Sequence, residues 1–415
     1  MKRVLVIGLL LAVLLGILPA VQAQYDILPV GVPSHIVVLK SGVAFDTTVR
    51  GLAAANSLQV ANVYRYALNG FAATIPPARL NALRNDPRVA YVEANQVWTI
   101  QVQTVPTGIT RSYAASNPNL DIDGVDDVRV DVDVAVIDSG IDLDHPDLNV
   151  FRSTNCVNWW PFTARCGSGG DDGNGHGTHV AGTIAALDNG IGAVGVAPGA
   201  RLWAVRVLNN SGSGYTNQII AGIDYVTANA ASIEVANMSL GCECTSQAQA
   251  DAISRSINAG VVYVVAAGNS DKNASTFSPA NHPDVVTVSA LADFNGLPGG
   301  GAASTCRVDQ DDTLADFSNF GAVVEIAAPG VCIYSTWLNG GYNTISGTSM
   351  ASPHAAGAAA ILASRNNPNS RAAVLNIRAT LVSEGNFNWT DDSGDGIKEP
   401  LLDLSDTAVF NPVMR

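Results

Sequence analysis

Three short stretches carry residue types that could break an amide bond if folding brought them together. The first is Gly347-Thr348-Ser349-Met350-Ala351-Ser352-Pro353-His354, which runs into the small-residue series Ala355-Ala356-Gly357-Ala358-Ala359-Ala360. Gly347 permits a sharp turn, Pro353 is expected in the first turn of a helix and the alanines propagate one, so Ser349 should sit where a loop becomes a helix. A serine hydroxyl is a poor nucleophile near neutral pH unless a base, a group that orients the base and oxyanion donors accompany it. The base is supplied by Asn174-Gly175-His176-Gly177-Thr178-His179, where glycines flank an imidazole ahead of an apolar, small-residue helix. The orienting group is Asp138, at the carboxyl end of the β-branched run Val132-Asp133-Val134-Ala135-Val136-Ile137, the strand end where open α/β sheets gather their chemistry. Singly, Asp138 reads as a strand-end cap, His176 as a helix-start residue and Ser349 as an N-cap. Their joint occurrence favours catalysis. His179, a helical turn after His176, has no carboxylate to complete a zinc motif and is assigned to packing or hydrogen bonding, and His145 and His354 to structure on the same grounds.

These residues need a scaffold that converges strand ends. β-Branched runs over 131–137, 202–207, 234–240, 261–266, 285–289 and 323–327 alternate with helical patterns over 176–187, 217–229, 247–258 and from 349 onward. That rhythm predicts an α/β fold, a mostly parallel sheet with helices on both faces. Ahead of it, strands at 35–39, 70–75 and 88–93 and helices at 47–57 and 78–85 predict a small α+β unit. The chain opens with Met1-Lys2-Arg3, an apolar core over 4–18 and Val21-Gln22-Ala23, the pattern of an export signal cleaved after Ala23. The apolar run is short for a membrane span. Secretion is therefore expected, with no membrane association after signal removal.

Eight of the 22 Lys and Arg and four of the 36 Asp and Glu precede Val102, leaving 14 bases against 32 acids and a formal charge of −18 in the remainder. Such a surface argues against nucleic acid or an anionic membrane as partner. Six cysteines in an exported chain suggest up to three disulfides, with fifteen pairings open. Cys156 with Cys166 would close a local loop and Cys306 with Cys332 would pin a segment. Cys242-x-Cys244 reads as a tight disulfide or two free thiols, because no second pair at zinc spacing accompanies it.

The chain order Asp138, His176, Ser349 and the three motifs resemble those of the subtilisin family of serine peptidases, made as secreted precursors. Ala266-Ala267-Gly268-Asn269-Ser270 resembles the family's oxyanion-hole segment, which implies that the Asn269 amide assists the backbone N–H of Ser349. The resemblance implies a signal peptide at 1–23, a propeptide at 24–101 acting as chaperone and inhibitor, and a subtilisin-like catalytic domain at 102–415, with processing near Gln101 and Val102. It implies an extended protein or peptide substrate bound between Ser211-Gly212-Ser213-Gly214 and Ser239-Leu240-Gly241. Ala266, Ala267 and Gly268 then wall an uncharged primary pocket, so that apolar or aromatic residues are favoured before the scissile bond.

The segment 187–193 resembles the family's calcium loop. Leu187, Asn189, Ile191 and Ala193 with Asp147 and Gln103 are the implied ligands of a structural Ca2+, an oxygen set suited to that ion. Asp188 beside Asn189 departs from the commonest family pattern. Asp391-x-Ser393-x-Asp395-Gly396 resembles half a second calcium loop, with Leu402 where a carboxylate would complete it. Residues 295–312 read as an insertion. A monomer is expected. The alternatives are a narrow-specificity processing peptidase, which would need acidic pocket residues, and an inactive family member acting as a binding protein, which would be expected to lack a triad residue.

Overall fold

A computed structural model describes residues 33–66, 68–95, 102–157 and 166–415. The expected signal sequence, and Gln101 at the expected processing point, lie outside the described residues. The chain divides into two compact units, Met1–Ile100 and Gln101–Arg415.

In the first unit, β1 (His35–Leu39), α1 (Phe45–Asn56), β2 (Gln59–Tyr64), β3 (Gly70–Thr74), α2 (Pro77–Arg84) and β4 (Val89–Ala94) form an antiparallel sheet in the order β2-β3-β1-β4. Val37 of β1 pairs with Phe71 on one side and Val92 on the other. These side chains meet Leu52 and Leu83 from the two helices in a small separate core. Strand β2 was not anticipated. Its residues are almost all exposed, so no two-residue alternation marks it.

In the second unit, a short helix α3 (Thr107–Arg111) precedes β5 (Asp133–Asp138), β6 (Val150–Asn155), α4 (His176–Ala185), β7 (Arg201–Arg206), α5 (Thr216–Ala228) and β8 (Val235–Met238). There follow α6 (Gln247–Asn258), β9 (Val262–Ala266), β10 (Val286–Ala292), β11 (Thr313–Leu314), β12 (Ile326–Pro329), the hairpin β13 (Ile333–Trp337) and β14 (Gly341–Ile345), α7 (Thr348–Arg365) and α8 (Arg371–Glu384). The sheet runs β11-β10-β9-β8-β5-β7-β6, with β12 also on β10, and is parallel except at β11. Its helices cover both faces, as the alternation predicts. Strand β5 is buried along its whole length because it lies between β7 and β8. There the chain turns from building one side of the sheet to building the other, so a crevice opens beyond its carboxyl end.

Helix α7 is buried on nearly all sides, and its alanines and Gly357 permit this by letting neighbouring backbone come close. A Cβ on Gly357 would stand 2.6 Å from the Val196 Cβ. Pro353 corrects an expectation. Helix α7 begins at Thr348, so Pro353 lies in the second turn, inside the helix, where it withholds the N–H that would bond Ser349 O.

All three cysteine pairs, Cys156–Cys166, Cys242–Cys244 and Cys306–Cys332, are disulfides. The 295–312 segment is anchored rather than loosely attached. Asp312 takes the N–H groups of Gly299 and Gly300 and pairs with the fully buried Arg111 of α3. Among the described residues, no helix is long and apolar enough to cross a membrane.

Candidate active site

Asp138 closes β5 and is fully buried. Its carbonyl is held by the N–H groups of Val207 and Leu208, and its Oδ1 accepts Ser139 N at 2.7 Å and His176 Nδ1 at 2.8 Å. A carboxylate only accepts, so the ring proton is on Nδ1 and Nε2 is left as a base. His176 begins α4 because Gly175, at φ 103°, turns the chain into it. A Cβ on Gly175 would strike the Trp337 ring at 2.4 Å, and one on Gly177 would strike Gly140 O at 2.1 Å. The two glycines are therefore what lets the imidazole approach the strand end. Burial works against a charged ring. The Asp138 charge and hydrogen bond, with the charge of Asp172, outweigh it and raise the His176 pKa above its ordinary value.

Ser349 is the second residue of α7. Its hydroxyl donates to Ser239 O at 3.1 Å and is not hydrogen-bonded to His176 in this geometry. Ser239 returns the contact: its Oγ–H reaches Ser349 O at 2.7 Å, the carbonyl that Pro353 leaves without a helical donor. Buried Asn237 sets the Ser239 hydroxyl by donating Nδ2 to it at 2.9 Å while accepting Ser352 Oγ–H at 2.7 Å. Asn269 faces the same pocket as Ser349. Its Oδ1 accepts both the N–H and the hydroxyl of Thr348 at 2.8 Å, which fixes the amide's oxygen end and leaves the nitrogen end available. Asn319 shapes the segment beyond it by bonding Ala267 O, Ser270 N and Lys272 N. Thr348, Asn237 and Asn319 were not singled out from sequence. Only Thr348, adjacent to Ser349, carried a local signal.

Ser211, Gly212, Ser213 and Gly214 face Ser239, Leu240 and Gly241 across a cleft of about 670 Å³ that also takes in His176. Beyond Leu240 and Gly241 lies a pocket of about 290 Å³ lined by Ala266, Ala267, Gly268, Asn269 and Ser349. The expectation of an uncharged pocket is corrected by Glu243. It lines the same pocket, with its carboxylate bonded by Lys272 at 2.8 and 2.9 Å. Glu243 lies two residues beyond the 239–241 segment, and only the fold brings it to the same pocket as the alanines.

Asp147 is fully buried. Its Oδ2 accepts Ala193 N and Tyr342 O–H, and its Oδ1 has no hydrogen-bond partner among the described residues. Gln103 is drawn onto the 187–193 loop, where its N–H bonds Gly190 O and its Oε1 accepts Gly190 N. Asn189 Oδ1 accepts Ile191 N. The carboxylate of Asp188, the departure noted above, is occupied by Gln103 Nε2, Asp123 N and Gly124 N. Among the described residues no three His, Cys, Asp or Glu are grouped for a metal. The 187–193 set is of another kind, one carboxylate with amide and main-chain oxygens. An orphaned buried carboxylate oxygen beside that set fits a hard cation. The Asp391–Asp395 turn is closed largely by its own hydrogen bonds.

His179 and His354 are fully buried. The first contacts Ile333 O and the second Met350 O, and burial depresses them to about 3 and about 4.

Comparison with known proteins places this geometry among relatives. The family model described as "Subtilase family" matches residues 130–398, and that described as "Peptidase inhibitor I9" matches residues 34–101. Subtilisin NAT of Bacillus subtilis subsp. natto is 40% identical over 312 residues, covering 74% of this chain and 73% of that protein. An alkaline protease of Alkalihalobacillus alcalophilus is 38% identical over 315 residues, covering 76% and 74%. The crystal structure of a cold adapted subtilisin-like serine proteinase aligns with a TM-score of 0.55 at 36% identity, covering 68% of this chain and 89% of that one. With a strand-end aspartate bonded to a helix-start histidine on a mostly parallel sheet, and with relatives at this identity over three-quarters of its length, the chain belongs to the subtilase family of serine endopeptidases.

Proposed function

We propose that the chain is the precursor of a secreted, calcium-stabilised endopeptidase whose triad is Asp138, His176 and Ser349. The observation that carries this reading is the 2.8 Å Asp138–His176 bond at the rim of a cleft whose wall, at Ser239, is hydrogen-bonded to Ser349. The Ser349 hydroxyl rotates from Ser239 O to His176 Nε2, a closure that often awaits substrate. Its oxygen attacks the peptide carbonyl carbon as Nε2 takes the proton. The amide nitrogen of Asn269 and the Ser349 N–H receive the oxyanion. As the C–N bond breaks, the imidazolium returns the proton to the leaving amine. Water, deprotonated by the same nitrogen, then attacks the acyl ester; as the bond from the acyl carbon to Ser349 Oγ breaks, the imidazolium returns the proton to Oγ and the acid product leaves, while Asp138 keeps the ring in the productive tautomer and stabilises its cation.

Residues 1–23 serve as a signal peptide, 24–101 as a propeptide that assists folding and inhibits, and 102–415 as the monomeric enzyme. Substrate lies extended along 211–214 and 239–241, with apolar or aromatic side chains favoured in the pocket. Gln103, Asp147, Leu187, Asn189, Ile191 and Ala193 would hold a calcium ion, which stiffens the loop and takes no part in the chemistry.

Covalent labelling by a fluorophosphonate tests the assignment. Labelling is expected on Ser349 and lost in Ser349→Ala; a labelled Ser349→Ala protein, or wild-type protein that neither labels nor cleaves casein, would overturn it. Mass spectrometry of the active, exported protein checks processing, where retention of the first hundred residues would contradict the propeptide assignment.

A further inference from the structure

We propose that Glu243 is a specificity residue that opens the primary pocket to lysine and arginine side chains as well as to apolar ones; this rests on the proteolytic reading of the cleft. Among the described residues that line the pocket, Glu243 is the only carboxylate. Its place in the chain is held on both sides. Cys242 and Cys244 are bonded to each other around it, and Cys242 exchanges two main-chain hydrogen bonds of 3.0 Å with Ser278 on the pocket's edge. The carboxylate reaches Lys272, three residues past Asn269, so the pair links one pocket wall to the segment continuing from the other. Both side chains are about half exposed, at 53% and 52%.

An exposed pair of this kind exchanges partners at little cost. A substrate lysine or arginine would lay its alkyl stem along Ala266 and Phe277 and bring its cation to Glu243. Lys272 would then turn out into solvent. One ammonium replaces another, so no charge is left unpaired at the carboxylate. Phenylalanine in the same pocket makes no use of Glu243, and a glutamate side chain is repelled by it.

The test is kcat/KM for matched peptides differing only in the residue before the scissile bond, Phe, Lys or Glu. It compares wild-type enzyme with Glu243→Gln and Lys272→Met, each normalised by fluorophosphonate active-site titration. The Lys/Phe ratio is expected to fall about three- to tenfold in Glu243→Gln and to rise in Lys272→Met, where the carboxylate loses its resident partner. In wild type the ratio should also decline as salt is raised. A Lys/Phe ratio that stays within twofold of wild type in both variants would overturn the proposal while leaving the proteolytic reading intact. If wild-type enzyme cleaves none of the peptides and does not label, both fail.

Discussion

The Ser239 hydroxyl occupies the place of a missing helical amide, and a double-mutant cycle can show it. In Ser239→Ala, Ser349 O loses its donor at 2.7 Å and cannot recover one from residue 353, a proline. The buried Asn237 Nδ2 loses its acceptor at 2.9 Å. An unsatisfied buried polar group costs about 1–3 kcal/mol, and Ser349 O is partly accessible, so the two together should cost about 2–4 kcal/mol. At roughly 2–4 °C per kcal/mol for a domain of this order of size, the unfolding midpoint should fall by about 5–15 °C. Pro353→Ala restores an N–H aimed at Ser349 O from within α7. In that background Ser239→Ala should cost about 1 kcal/mol less, because only Asn237 is then deprived. Thermal unfolding of all four proteins would be followed with Ser349→Ala throughout, which removes self-digestion and keeps the carbonyl in question. If the two changes add to within about 0.5 kcal/mol, the hydroxyl is not standing in for the amide and the reasoning fails.

Three further outcomes are expected. Asn269→Ala should reduce kcat by about 10²- to 10³-fold with KM little changed, the loss established for a single side-chain oxyanion donor in subtilisin itself, and an unchanged kcat would remove Asn269 from the mechanism. The base must be neutral to act, and the Asp138 and Asp172 charges favour the protonated ring against its burial, so activity should be lost as pH falls through the raised His176 pKa. Asp172→Asn lowers that pKa, and the acid limb of the kcat/KM profile should move to lower pH; a shift upward would contradict the assigned sign. Chelation of calcium should lower the unfolding midpoint, since an ion at 100 times its Kd adds about 2.7 kcal/mol, and Asp147→Asn should abolish the difference between chelated and calcium-loaded protein. Persistence of that difference in the variant would place the ion elsewhere.

The candidate site was legible to the extent that its chemistry is written in adjacent residues. Asp138 stands at the end of a β-branched run, His176 sits between glycines required by close contacts, and Ser349 precedes a run of alanines, so each motif reports its own turn. Strands with continuous apolar burial, such as β5 and β9, could likewise be read directly. Strand β2 could not, because exposed residues impose no period. The β13–β14 hairpin could not either, because β13 is largely buried against α4 by polar as well as apolar residues, β14 is only half-buried, and the pair forms its own two-stranded sheet rather than joining the main one.

What the sequence by itself determined was the set of candidate reactive groups, their order along the chain and the α/β rhythm that converges strand ends. Local backbone preference and hydrophobic period are properties of neighbouring residues and need no partner. The tertiary structure alone decided which distant groups complete them: that Thr348 fixes the Asn269 amide, that Ser239 supplies the donor Pro353 lacks, and that Glu243 brings a charge to the pocket lined by Ala266, Ala267 and Gly268. Each depends on a hydrogen bond or ion pair a few ångströms long between segments far apart in the chain, and only the packing of helices and strands fixes such distances.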